Sequence, residues 1–247
     1  MGPDLIRTFQ RVAPDWVKLL EKQQVDWRAH LQEVGNALDF GRTDLVPCRD
    51  LVFRAFAECR PASAKVVIVG QDPYFDGSAV GLAFSVARGG LIPPSLRRIY
   101  DEVPGNPRRN GDLSGWCRQG VLLLNRVLTT TRGMARAHRH IGWERFTQAA
   151  IVSLLAAYPK KIVLILWGAD ALTLYTDSLH ENALAIIGSS HPSPNRGACY
   201  AKLKDRRGLK CPAFVKSAPF ARANEALTNA RIKPIRWNST GSGVDAR

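Results

Sequence analysis

Two runs of this 247-residue chain carry groups able to do chemistry, Gly70-Gln71-Asp72-Pro73-Tyr74 and His191-Pro192-Ser193-Pro194. Each follows a short apolar stretch, Val66-Val67-Ile68-Val69 and Ala185-Ile186-Ile187. Two further stretches end on polar or small residues: Val121-Leu122-Leu123-Leu124 leads into Asn125, and Ile162-Val163-Leu164-Ile165-Leu166 leads into Trp167-Gly168. Apolar runs without alternation suit strands covered on both faces, as in a parallel sheet. Open parallel sheets bind ligands beyond the carboxyl ends of their strands. Asp72, Asn125 and His191 are therefore expected to converge on one site, where a carboxylate, an amide and an imidazole can do acid–base and electrostatic work.

The elements that must position them follow from the pattern. Residues 4–60 read as helical, with Trp16, Leu19, Leu20, Trp27, Leu31 and Val34 spaced for one apolar face. A Gly- and Pro-rich loop follows the first strand, and Ser95 is expected to cap a helix containing Leu96, Ile99 and Tyr100. Residues 104–115 read as a loop. Helices are expected over 143–157, 170–178 and 219–230, and 238–247 has linker composition, suggesting a disordered tail. Strands alternating with helices predict an α/β fold with a mainly parallel sheet, one domain over 1–237.

Composition narrows the partners. Lys and Arg number 35 against 21 Asp and Glu, a net charge of +14, which favours polyanions through attraction and counterion release. The charge gathers downstream of the site residues: Arg126, Arg132, Arg136, Arg139 and Arg145 after Asn125, and a run from Arg196 to Lys216 after His191. A solvated face is the alternative for either cluster alone. The five cysteines include no C-x-x-C pair, so no disulfide scaffold, zinc site or iron–sulfur site is expected, and a reducing compartment fits. Cys199 and Cys211 fall in one loop, and buried or idle thiols are the expectation. With no signal-peptide core and no apolar run of membrane-spanning length, the chain reads as soluble, intracellular and cytoplasmic, with no membrane partner.

Taken with Gly81-Leu82-Ala83-Phe84-Ser85-Val86, Pro93-Pro94-Ser95-Leu96, Gly120-Val121-Leu122-Leu123-Leu124-Asn125 and Leu166-Trp167-Gly168, the two opening motifs resemble those of the family-1 uracil-DNA glycosylases, in order and near the family's spacing. The match is good over 65–194, resumes near Phe220 and is weaker before residue 60. It implies a single-domain α/β/α sandwich around a central, mainly parallel four-stranded sheet. The activity it implies is monofunctional: extrusion of uracil from DNA, hydrolysis of the N-glycosidic bond, and an abasic product for base-excision repair.

The resemblance also assigns roles. Asp72 would position the attacking water and stabilise the cationic sugar. His191 would donate to uracil O2 as negative charge gathers there. Asn125 would read O4 and N3–H with one fixed amide, Tyr74 would block the C5 methyl of thymine, Phe84 would stack on the base, and Gln71 would line the pocket. Pro93, Pro94, Ser95, Gly168, Ser193, Asn195 and Arg196 would meet the DNA backbone, and His138 matches a family position near that surface. No metal or organic cofactor is implied, the substrate is uracil-containing DNA, single- or double-stranded, and the protein is expected to be monomeric. Taken alone, an Asp before Pro is usually a turn residue and a loop His is unremarkable; the family pattern reverses both judgements.

The chain also departs from that pattern. Phe75 stands where the family has His, and Gly168-Ala169 where it has Gly-Ser. Asn195-Arg196 stands where it has the Leu that wedges into the duplex, and a basic insertion, 195–218, follows. Arg196, Leu203, Leu209 or Phe214 is expected to replace the wedge; a disordered basic loop is the alternative. Sensitivity to the family's DNA-mimicking protein inhibitor is thereby put in question. Two other readings are weaker. Tyr74 and Asn125 argue against a broader base specificity, and Asp72 and His191 argue against a DNA-binding protein without catalysis. Gly188-Ser189-Ser190-His191 is not a nucleophile elbow.

Overall fold

The computed structural model describes residues 4–39, 42–105, 110–205 and 208–239. Three helices open it, α1 (Leu5–Val12), α2 (Pro14–Lys22) and α3 (Trp27–Ala37). Asp4 and Asp26 cap the first and third by accepting from the main-chain N–H of Ile6 and Ala29. The helical reading of 4–60 is interrupted by a two-residue strand, β1 (Leu45–Val46), before α4 (Arg54–Glu58). Its partner lies far along the chain, so no local pattern announces it.

The remaining elements are β2 (Val66–Gly70), α5 (Pro94–Asp101), α6 (Ser114–Cys117), β3 (Val121–Asn125), β4 (Thr130–Thr131), α7 (Trp143–Ala157), β5 (Val163–Trp167), α8 (Ala169–Leu172), α9 (Asp177–Asn182), β6 (Ala185–Ser189) and α10 (Pro219–Asn229). β1 pairs antiparallel with β4. The central sheet has the order β3-β2-β5-β6 and is parallel throughout. Every residue of β2 and β5 is buried. Successive strand side chains point to opposite faces, so both faces are covered, as the unbroken apolar runs predict.

Three local readings are corrected. Pro93, not Ser95, is the residue before α5; Ser95 sits inside its first turn and is buried. The stretch 104–115 runs into α6, and the single helix read over 170–178 is two, α8 and α9. The tail reading falls outside the described residues from 240 on. Ser239 itself is held, its Oγ accepting from Gln119 Nε2 at 2.7 Å.

The insertion after His191 is packed rather than a disordered loop in its described part. Phe214 is fully buried, its ring 5.3 Å from that of Trp167, and Leu203 and Leu209 pack partly buried against the core. Main-chain bonds run from Leu203 N to Cys211 O and from Val215 N to Cys199 O, and Glu102 on the chain after α5 accepts from Lys216 N and Ala218 N. Cys199 and Cys211 are both buried, and the Cys211 thiol donates to Leu209 O. Phe214 is thus committed to packing, which corrects its assignment as a wedge, while Leu203 and Leu209 are only partly buried. The Arg196 side chain lies outside the described residues.

Candidate active site

The sheet topology sets where a ligand binds. The connection from β2 leads to β3 on one side and that from β5 leads to β6 on the other, so the crevice opens between the ends of β2 and β5. Asp72 lies two residues past β2, Gly168 one past β5, and His191 two past β6. Asn125 ends β3 directly opposite Gly70. A cavity of about 580 Å³ fills this crevice, lined by Gln71, Asp72, Tyr74, Phe84, Asn125 and His191. Pro93, Pro94, Ser95, Gly168, Ser193 and Asn195 also contribute to its wall.

Glycine is required at two of these strand ends. A Cβ on Gly70 would stand 2.1 Å from Asn125 Oδ1, so the Asn125 amide occupies the space a side chain would take. Gly168 has φ +88°, in the left-handed region open to glycine, and a Cβ there would press on His191 at 3.0 Å. The tight turn after β5 thus lets the imidazole into the pocket.

The imidazole is oriented by its own loop. His191 Nδ1 accepts from the Ser193 main-chain N–H at 3.0 Å, which assigns the proton of the neutral ring to Nε2. Burial pushes its pKa down to about 4, against a smaller upward pull from Asp170, so the ring is uncharged at neutral pH. Phe84 packs beside it, ring centroids 5.9 Å apart, and against Trp167 at 5.3 Å. Phe84 has φ +64°; a non-glycine residue there is strained, and such strain clusters at functional sites.

Tyr74 is fixed from two sides. Its hydroxyl donates to Phe84 O at 3.2 Å and meets Ser95 Oγ at 2.9 Å. Burial raises the phenol's pKa, keeping it protonated. Ser95 is therefore turned inward, and at the start of α5 it is its main-chain N–H that lacks an intrahelical partner.

Burial raises the pKa of Asp72 above its usual range, opposed by a hydrogen bond from the Arg136 main-chain N–H and by that residue's charge. The bond is 2.9 Å long, to Oδ2, and Arg136 Nη2 also donates to Gln71 Oε1 at 2.9 Å. Asp170 pairs with Arg136 at 3.4 Å and with Arg139 at 3.1 Å. Sequence reading noted these arginines only as bulk charge and missed Asp170 altogether. Its place two residues past Gly168 was the available signal. His138 is braced instead by Thr129 and Thr131 hydroxyls at 2.9 and 3.2 Å. Among the described residues no group of three His, Cys, Asp or Glu could hold a metal ion, and no helix is long and apolar enough to cross a membrane.

The model of the Uracil DNA glycosylase superfamily matches residues 56–207. The uracil-DNA glycosylase of Chromobacterium violaceum is 38% identical over 242 residues, covering 94% of this chain and 94% of its own. That of Haemophilus influenzae is 38% identical, covering 90% of this chain and 98% of its own, and that of human herpesvirus 6A is 36% identical, covering 91% and 85%. The crystal structure of mimivirus uracil-DNA glycosylase superposes with a TM-score of 0.75 at 26% identity, covering 96% of this chain and 94% of that one.

Proposed function

The chain belongs to the uracil-DNA glycosylase superfamily, and from that premise we propose that it flips uracil out of DNA and hydrolyses the N-glycosidic bond. Free uracil leaves, and an intact backbone with an abasic site passes to base-excision repair. The carrying observation is the convergence of Asp72, Phe84, Asn125 and His191 on one cavity, with the imidazole held neutral and its Nε2–H free of the loop bond.

Each group has a step. An extruded base costs a few kcal/mol of lost stacking and pairing, offset in part by stacking on Phe84, worth about 1–3 kcal/mol per base. The Asn125 amide donates to O4 and accepts from N3–H; cytosine reverses that edge, and a buried mismatch is strongly rejected. Tyr74, pinned by Phe84 and Ser95, closes the space that a C5 methyl would need. As the C1′–N1 bond breaks, its electron pair moves onto the base, and His191 Nε2–H donates to O2. Asp72 faces the cationic sugar and orients the water that attacks C1′. Preorganised groups of this kind supply much of an enzyme's rate.

The rim meets the DNA through Pro93, Pro94, Ser193, Asn195, Arg196 and the backbone N–H of Ser95, and the enzyme acts as a single-domain cytoplasmic monomer. Uracil release from matched single-stranded and duplex oligonucleotides tests the reading, with thymine and cytosine controls. We expect release of uracil alone from the wild type, and release of cytosine by Asn125→Asp. DNA binding without any release would give the lead to a non-catalytic DNA-binding role.

A further inference from the structure

We propose that Arg136 is a positioning residue for this site, its guanidinium anchored on Asp170 so that Gln71 and the Asp72 carboxylate are held in one fixed arrangement. The inference rests on the glycosylase reading of the pocket given above. Three contacts leave one residue: the main-chain N–H to Asp72 Oδ2, and Nη2 to Gln71 Oε1 and to Asp170 Oδ2. Arg139 holds the other oxygen of Asp170 at 3.1 Å, so the anchor is itself fixed from both sides. The backbone of Arg136 has φ +62°, a conformation that long side chains seldom adopt.

The arrangement suits the chemistry. Gln71 and Asp72 are neighbours beyond β2 with no strand pairing of their own. A planar guanidinium can serve two acceptors at once, which a lysine ammonium on a flexible stem does less well. Any residue except proline keeps the main-chain bond to Asp72, so substitution isolates the guanidinium. The groups facing Asp72 are Arg136 and Arg139 before α7, Asp170 on α8 and, across the pocket, His191. On its α7 side a second cavity adds Arg126, His140, Glu144 and Arg145. Of these, Arg136 lowers the Asp72 pKa most and Asp170 raises it. Removing the Arg136 side chain therefore acts twice in one direction, losing a nearby cation and leaving Asp170 less neutralised.

The test compares wild type, Arg136→Ala, Arg136→Lys and Asp170→Asn on a uracil-containing single strand. We expect kcat to fall about 10- to 100-fold in Arg136→Ala, the scale of a misplaced reacting group, with KM changing less. The acid limb of kcat/KM should move to higher pH. Arg136→Lys should restore the limb and only part of kcat. Asp170→Asn should have a kcat between wild type and Arg136→Ala with its acid limb moved to lower pH, because Asp170 raises the Asp72 pKa. A raised KM with unchanged kcat and unchanged acid limb would make Arg136 a phosphate contact and overturn the proposal. Carbon-13 NMR titration of the Asp72 carboxyl decides independently of turnover: an unchanged pKa in Arg136→Ala overturns the clamp. Absence of uracil release by the wild type would instead sink the glycosylase reading, with the titration still deciding the clamp.

Discussion

At the floor of the pocket, Gly70 and Asn125 are paired across β2 and β3, Trp167 and Ser189 across β5 and β6, and the reactive side chains follow within two residues. At its rim, Phe75 and Tyr200 are exposed, as are Leu91, two residues before Pro93, and Met134, beside Ala135. Floor positions are set by backbone that cannot move without unpairing the sheet. Rim positions are set by loops on which these apolar side chains remain exposed. Reading the base and gripping the DNA are thus separately built, and a substitution should reveal which of the two it touches.

The sharpest break comes at the floor. Asp72→Asn keeps the shape and removes the charge, and kcat for uracil release should fall about 10²- to 10⁴-fold, the range for a lost acid–base group. DNA affinity should hold, because no rim group changes. A fall in affinity that matched the fall in kcat would merge the two regions and break the comparison.

Gly70→Ala is the next largest and the more geometric. The added methyl would meet Asn125 Oδ1 at 2.1 Å, and the amide, being the movable partner, must leave its place. Uracil release should fall on the order of 10²-fold, as for a reacting geometry displaced by about 1 Å. A stability loss of about 1–3 kcal/mol from overpacking is expected with it. Thermal melting beside the kinetics separates the two effects. Full activity in a stable variant would mean that Asn125 does not read the base from where it stands.

How much of this was legible in sequence follows the same division. Val66–Gly70 and Val163–Trp167 are buried on both faces, so their unbroken apolar runs announced parallel strands, and Trp143–Ala157 emerged with the expected bounds. Once those ends were placed, Asp72, Asn125 and His191 had to meet. β1 was missed because its pairing with β4 joins residues more than eighty positions apart. The Arg136–Asp170 contact was missed because long-range ion pairs leave no periodicity. Ser95 looked like a helix cap because its residue type suits one; Tyr74, from another loop, turned it inward.

A pH profile sharpens the comparison at moderate scale. Burial raises the Asp72 pKa and depresses that of His191 to about 4. As pH falls, Asp72 loses its charge, so kcat/KM should decline on an acid limb above the ordinary Asp value of about 3.9. His191 contributes to stability on the acid side of the same scale. Its folded pKa lies below its unfolded value near 6.5, so the unfolded chain binds more protons between pH 6.5 and about 4. Stability should drop as pH falls through that window, and His191→Asn should flatten the drop. An equal slope in that variant would show the imidazole to be solvated.

The smallest effect belongs to the rim, at Tyr200. The short helical turn Asn195–Tyr200 leads away from the pocket wall, where Asn195 and Ala198 lie, and ends on this exposed ring. The Arg98 guanidinium of α5 lies 5.6 Å from the ring centroid, which holds the aromatic on the side of the pocket that α5 helps to wall. A base leaving a duplex opens a gap in the stack, and inserted side chains of this kind fill such gaps. With Phe214 buried and Leu203 and Leu209 partly buried, Tyr200 is the exposed aromatic of the insertion with a face to offer. Tyr200→Ala should slow release from duplex about fivefold, the worth of roughly 1 kcal/mol of stacking. Release from a single strand has no gap to fill and should change little. Equal slowing on both substrates would make Tyr200 a general stacking contact, and no slowing on either would leave base extrusion to the floor alone.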